Sequence, residues 1–82
     1  MKLSVSLLRK LGKKYEPSSM IELKFRGKDL SIKTDNEGNP VVLFIGKMLT
    51  DGKIKGERFT RTLVRNTAGE LIKDHWDLKG KT

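Results

Sequence analysis

The stretch "PVVLFIGKML", residues 40–49, decides the fold of this chain. It is apolar at consecutive positions and not only at alternate ones, a pattern typical of a strand that is covered on both faces. Proline lacks a backbone N–H and is tolerated at the first residue of a strand, where Pro40 stands. The stretch therefore predicts the central strand of a sheet.

On either side of this stretch, apolar and polar residues alternate with the period of two that is typical of a half-buried strand. Before it, the alternation runs through residues 20–27 and 29–34. After it, the same alternation runs through residues 53–65 and 70–79. The pattern predicts five strands joined by short connections.

The connections contain the residues that tight turns require. Residues 27–28 suit a tight hairpin, and residues 51–52, Asp and Gly, are a signal for a two-residue hairpin loop. Segments 35–38 and 66–69 each begin with Asp or Asn and end with Gly. That order is typical of a type I turn followed by a residue in the left-handed conformation. Such short connections favour an antiparallel meander.

The N-terminal segment predicts a short helix from about Ser4 to Leu11. Its leucines at positions 3, 7, 8 and 11 share one helical face, most of its cations lie opposite, and Gly12 stands where a C-terminal cap is favoured. A helix of two turns is marginal alone, so its leucines must dock on another surface. We expect that surface to be the chain's own sheet, although a partner's groove or a membrane surface would satisfy the same pattern.

The predicted fold class is mainly β (α+β): a short N-terminal helix followed by a five-stranded antiparallel β-meander. A sheet of this size must bury one face, which favours a strongly bent sheet or a partly open small barrel, SH3-like or OB-like, with the helix at one end. A flatter sheet with the helix lying across it is the alternative. Gly46 and Gly56 mark bends or bulges. The 82 residues form one small domain, with helix and connector at 1–19, meander at 20–79 and tail at 80–82.

Charge and cysteine content restrict the environment and the partners. The chain has 18 Lys and Arg against 10 Asp and Glu, a formal net charge of +8 and no cysteine. Such an excess of cations favours a polyanionic partner, although solubility alone also explains it. The absence of cysteine excludes disulfides and thiolate metal sites and favours a cytoplasmic location. The N-terminal segment is a poor signal peptide and too short to span a membrane.

Catalysis has little support in the sequence. On a strand His75 and Asp77 share one face, while Asp74 and Trp76 share the other, so the four side chains cannot converge on one site. One histidine with one carboxylate supplies too few groups for a hydrolase, a nuclease or a metal site. The segment "GKMLTDGKI" at 46–54 lacks the spacing and the Ser or Thr of a phosphate-binding loop. We expect no enzyme activity, no catalytic residue, no metal, no cofactor and no small-molecule substrate.

A basic surface with few aromatic residues remains as the candidate site. Cations track a nucleic-acid backbone, and an exposed ring stacks on bases. The predicted nucleic-acid contacts are Arg9, Lys10, Lys13, Lys14, Lys53, Lys55, Arg58, Arg61, Arg65, Lys73, Trp76 and Lys79. A lone Trp in a small domain is more often its largest core residue than a binding platform, so the core is the favoured explanation of Trp76. Interspersed carboxylates also weaken the basic character of the C-terminal segment, whereas five cations precede the first acidic residue of the chain.

The sequence thus favours a small non-catalytic module that binds DNA or RNA through phosphates with little sequence specificity. The alternative is a protein-interaction or regulatory domain that binds an acidic protein through a strand edge or the N-terminal amphipathic helix. Substitution of Lys and Arg, compared with substitution of Leu7 and Leu11, is the experiment that the sequence suggests for separating the two.

Overall fold

A computed structural model describes residues 3–82 of the chain. It contains one helix and five strands, and these account for most of the described residues. Their bounds are α1 (Val5–Leu11), β1 (Met20–Phe25), β2 (Lys28–Thr34), β3 (Pro40–Met48), β4 (Ile54–Arg65) and β5 (Leu71–Lys81).

The five strands form one antiparallel sheet in the order β1-β2-β3-β4-β5. Each strand pairs with the next along the chain, and the sheet does not close into a barrel. The strand β3 lies at the centre, as its apolar composition predicts. The predicted helix and five-stranded meander are therefore confirmed.

The helix docks on the sheet of its own chain. The Ser4 side chain caps its N-terminus by accepting a hydrogen bond of 3.2 Å from the Leu7 N–H. Gly12 follows the last turn in a right-handed conformation, with φ −79°. Leu7 and Leu11 are fully buried, so burial of this leucine face stabilises a helix too short to persist alone.

One face of the sheet carries the hydrophobic core. Strand alternation and register place the following residues on that face, where they form one cluster with the two helix leucines: Leu30, Ile32, Leu43, Ile45 and Phe59. We call this face the helix-facing side and the opposite face the open side. Ser6 accepts a hydrogen bond from Arg26 in the β1–β2 turn, and Leu11 contacts Arg61 on β4. The helix therefore lies across the sheet and does not cap one end.

The sheet bends over its open side. Through β2, the register places Met20 beside Val42 at the start of β3, whereas Ile54 pairs with Met48 at its end. These two ends of β3 would lie about 20 Å apart along a flat strand. Met20 and Ile54 nevertheless line one cavity, so the β3–β4 hairpin must fold over the open side.

Two glycines lie at this bend. Gly46 and Gly56 pair directly across β3 and β4 without a register shift. Of the two predicted features, a bend or a bulge, the sheet therefore has the bend. A Cβ atom on Gly56 would collide with the Ile45 carbonyl oxygen, and one on Gly46 would collide with the Lys55 carbonyl oxygen. Only glycine permits the two backbones to approach this closely.

Three of the four hairpin loops have the same geometry. In loops 35–39, 49–53 and 66–70, the first residue's N–H donates to the carbonyl of the fifth, and the fourth is a glycine with φ between 82° and 86°. This is a type I turn followed by a left-handed glycine. The prediction of a two-residue loop at 51–52 is therefore wrong, because Gly52 occupies the left-handed position after the turn and adds a residue to the loop.

The β1–β2 turn is displaced by one residue from its predicted position. Arg26 and Gly27 form it, with φ values of 49° and 80°, as in the two-residue turn that favours positive φ at both positions. Lys28 is consequently the first residue of β2 and pairs with Phe25. Lys28 therefore lies in the sheet and not in the turn.

The strand β5 is longer than predicted. Lys81 is still part of it, and the Thr82 N–H donates to the Gly56 carbonyl at 2.9 Å, while its hydroxyl donates to the Ile54 carbonyl at 2.6 Å. The prediction that residues 80–82 form a tail is therefore wrong, because the bent β4 supplies hydrogen-bond partners as far as the last residue.

Candidate nucleic-acid interface

The predicted contact residues are distributed over three parts of the molecule. The helix and its connector carry Arg9, Lys10, Lys13 and Lys14; the β3–β4 hairpin carries Lys53 and Lys55; and the β4–β5 hairpin carries Arg58, Arg61, Arg65, Lys73, Trp76 and Lys79. The register places some members of the last group on opposite faces of the sheet. The predicted set therefore does not form one continuous surface.

Arg61 directs its guanidinium group into the molecule. Its side chain is only 9% exposed, and its Nε and Nη2 atoms donate to the two carboxylate oxygens of Asp74 at 2.6 and 2.7 Å. Nη1 donates to the carbonyls of Leu11 and Pro40, both at 3.2 Å. Arg61 thus connects the helix end, β3 and β5, and we exclude it from the proposed interface.

The interaction with Arg61 also affects Asp74 and Trp76. Hydrogen bonds from Arg61 hold the pKa of the Asp74 carboxyl below its usual range. The Arg61 guanidinium carbon lies 5.6 Å from the centroid of the Trp76 ring, a distance at which a cation interacts with the ring face.

Trp76 is half-buried and packs against the hydrophobic core. Its remaining surface lines a hollow together with Leu3, Leu8 and Leu78. Because Arg61 lies over the ring and the core contacts it, Trp76 is a packing residue in this conformation. We therefore also leave it out of the proposed interface.

The cations of the helix and its connector lie near the β2–β3 loop. The Lys10 carbonyl accepts a hydrogen bond of 2.8 Å from the Tyr15 hydroxyl, and the Tyr15 N–H donates to the Gly38 carbonyl. Burial opposes ionisation of the Asp35 carboxyl, but hydrogen bonds from Asn39 and Glu37 lower its pKa, and the charge of nearby Lys14 adds a smaller contribution. Arg9, Lys13 and Lys14 are exposed and Lys10 is partly buried, so the cluster is largely accessible but has an acidic neighbour.

The β4–β5 hairpin presents scattered cations. Arg58 and Lys73 are exposed on the open side, and Lys79 lies where the β4–β5 register shifts. Arg65 donates a hydrogen bond of 3.2 Å to the Gly69 carbonyl at the base of the loop. These cations remain accessible but do not lie side by side.

His75 and Asp77 form a pair on the open side. The His75 Nε2 and Asp77 Oδ1 atoms are 2.8 Å apart, and the two side chains are 58% and 42% exposed. Such a pair could act as a general base with its orienting group only if further groups completed a site. Within residues 3–82, no group of three or more His, Cys, Asp or Glu side chains could hold a metal ion.

A row of three lysines crosses the sheet at the end near the β1–β2 turn. Lys47 on β3 pairs directly with Lys55 on β4. Asp29 pairs with Gly46, so Lys28 on β2 lies beside Lys47 on its other side. All three side chains are exposed, and neighbouring strands lie about 4.8 Å apart. We call Lys28, Lys47 and Lys55 the lysine row.

Sequence reasoning identified only Lys55 of this row, because the other two members depend on register. A two-residue loop at 51–52 would pair Lys47 with Gly56, whereas the observed three-residue loop pairs it with Lys55. A turn at 27–28 would likewise remove Lys28 from the sheet. Gly52 stands at the fourth position of its loop, as Gly38 and Gly69 do in the two loops that were predicted correctly. This shared position was the sequence signal for the three-residue loop.

Two carboxylates lie close to the lysine row. Asp29 and Glu57 line a hollow of about 570 Å³ together with Lys28 and Lys47. A hydrogen bond of 2.8 Å from the Met48 N–H to Asp29 Oδ2 is the main cause that lowers the pKa of the Asp29 carboxyl. Lys24 also approaches Asp29 at 3.5 Å. Asp29 is therefore ionised at neutral pH and partly offsets the positive charge of this region.

No model of a known protein family matches the chain, and comparisons with curated proteins and with solved structures give no match. Within the described residues, the helix is too short to cross a membrane.

Proposed function

We propose that this protein is a non-catalytic binding module that contacts the phosphates of a nucleic acid through the lysine row. The observation that carries the proposal is the lateral alignment of Lys28, Lys47 and Lys55 on three adjacent strands. Like charges directly opposite each other on neighbouring strands destabilise a sheet. A polyanion bound across them would remove that repulsion.

Contact with phosphates alone gives little sequence specificity. Lysine acts as a point charge toward phosphate, whereas specificity requires contacts to base edges. Because Trp76 packs against the core with Arg61 over its ring, no aromatic platform joins the lysine row in this proposal. The exposed cations of the helix, the connector and β5 supply additional long-range attraction.

The test is the affinity of two double variants for a fluorescently labelled oligonucleotide, measured by anisotropy. Replacement of Lys47 and Lys55 by Ala is expected to weaken binding about tenfold or more. It is also expected to reduce the slope of log K against log salt by the amount that corresponds to about two phosphate contacts. Replacement of Lys73 and Lys79 by Ala removes the same charge from β5 and is the matched control. Equal losses of affinity in the two double variants would contradict the assignment of the binding site to the lysine row.

A second function, binding of an acidic protein, is favoured by a different observation. Val5 and Leu8 on the helix and Leu78 on β5 are exposed by 67%, 41% and 48%, and β5 has an unpaired edge. Leu7 and Leu11 are in the core, so their substitution would test the fold and not the interaction. Binding that is lost on Leu8→Ser but retained in the double lysine variant would favour this alternative.

A further inference from the structure

The open side of the sheet contains a cavity of about 490 Å³, which shares only Lys55 with the lysine row of the nucleic-acid proposal. Its position follows from the bend at Gly46 and Gly56, which folds the β3–β4 hairpin over the open side. A volume of about 300–1,000 Å³ is typical of sites for small molecules.

The walls of the cavity are apolar. Phe44 and Ile54 belong to the paired strands, and Met20 and Leu49 approach from β1 and from the β3–β4 loop. Ile54 is 6% exposed, whereas Met20 and Leu49 are 57% and 43% exposed. Apolar surface in a concave site is thus left in contact with water, and an apolar ligand would bury it.

The charged residues that line the cavity are both lysines. Lys53 and Lys55 are among its lining residues, and none of the lining residues is acidic. Three other hollows of the described residues are each lined by a carboxylate: Asp74 in one, Asp29 and Glu57 in another, and Glu57 in the third. Asp51 lies in the same loop and accepts a hydrogen bond from the Lys53 N–H, but it does not line the cavity. An apolar cavity whose charged lining residues are both lysines is complementary to an apolar molecule with an anionic end.

We propose that this cavity binds a free single-chain amphiphile, with its apolar chain against Phe44 and Ile54 and an anionic head group, such as a carboxylate, near Lys53. Ser31, which also lines the cavity, supplies a hydroxyl close to the apolar wall. The Thr82 hydroxyl donates to the Ile54 carbonyl and accepts from the Gly56 N–H, so it stabilises the wall.

The test uses decanoate, decanol and decyltrimethylammonium as probes, each below its micelle concentration, in titrations followed by amide NMR. Decanoate is expected to give saturable shifts at residues 49–54 and at Phe44, while the Trp76 indole signal on the other face stays unchanged. Decanoate is expected to bind at least about fivefold more tightly than the cationic probe, since one surface charge contact contributes about 1 kcal/mol.

Three variants locate the ligand. Leu49→Ser is expected to weaken decanoate binding several-fold, whereas Leu71→Ser, at a residue of matched exposure on β5 (45% against 43%), is expected to leave it unchanged. Lys53→Gln is expected to weaken decanoate and not decanol. Equal effects of the two Leu variants, equal affinity for all three probes, or absence of saturable shifts would overturn the proposal. Shifts seen only with anionic phospholipid vesicles would do the same and would indicate a membrane surface as the ligand.

Discussion

Arg61 donates all its hydrogen bonds within the molecule, although strand alternation in the sequence places it among the cations of a basic surface. Alternation shows that it shares a face with Phe59, but its partners depend on the register of β4 and β5, which shifts twice. That register places Trp76 opposite Arg61, and Asp74 lies two residues further along on the same face, opposite Leu63. A side chain's face was therefore predictable from the sequence, whereas its partner was not.

The Arg61–Asp74 pair makes a prediction for stability and its pH dependence. Asp74→Asn is expected to lower the free energy of unfolding by about 1–2 kcal/mol at pH 7, near the lower end for such pairs because Asp74 is 37% exposed. The folded-state pKa of Asp74 lies below its unfolded value. The stabilisation is therefore complete above about pH 4 and is lost as the pH falls through the folded-state pKa.

Urea denaturation between pH 2.5 and 7 checks this prediction, with Asp77→Asn as the control. Asp77 pairs with His75 in an exposed position, where an ion pair contributes little. Asp74→Asn should destabilise more at neutral pH and show a weaker loss of stability in acid than the unmodified protein. A variant with the same acid dependence as the unmodified protein would show that Asp74 does not contribute as proposed.

At the scale of elements, the apolar pattern predicted the helix and the five strands of the described chain. The loops determined the register in which the strands pair. Segments 35–38 and 66–69 were predicted as type I turns from an Asx residue followed by glycine, and both loops have that geometry. The β3–β4 loop begins with Leu49, which is not typical of the first position of a type I turn. The pairing of β3 with β4 was therefore predicted with an error of one residue. The pairing of Lys47 with Lys55 was missed for this reason.

The bend in β3 and β4 gives a prediction at the same scale. Gly56→Ala is expected to destabilise the fold by about 2 kcal/mol or more, because the new Cβ would meet the Ile45 carbonyl oxygen, which cannot move without displacing the strand. Gly12→Ala, in a right-handed conformation with space for a Cβ, is the control and is expected to be neutral or stabilising. Denaturation midpoints measure both. Equal stability of the two variants would contradict the account of the bend.

At the scale of the whole molecule, the described chain is elongated, with extents of 44 × 24 × 21 Å, and its core lies under the helix. The fold class followed from the sequence because a period of two, a short helix and tight turns permit few arrangements. The net charge of +8 favours a polyanionic partner, which stays a prediction. The distribution of this charge over the surface could not be predicted from the sequence, because the bend and the strand register decide which cations lie side by side.

The most direct test of the proposed function is the salt dependence of oligonucleotide binding by the unmodified protein. Anisotropy titrations of labelled single-stranded and duplex oligonucleotides between about 50 and 300 mM salt would give log K against log salt. We predict saturable binding with a linear slope that corresponds to about two to four phosphate contacts, similar for unrelated sequences. Absence of binding at the lowest salt, or an affinity that does not change with salt, would contradict the claim that the lysine row binds a polyanion.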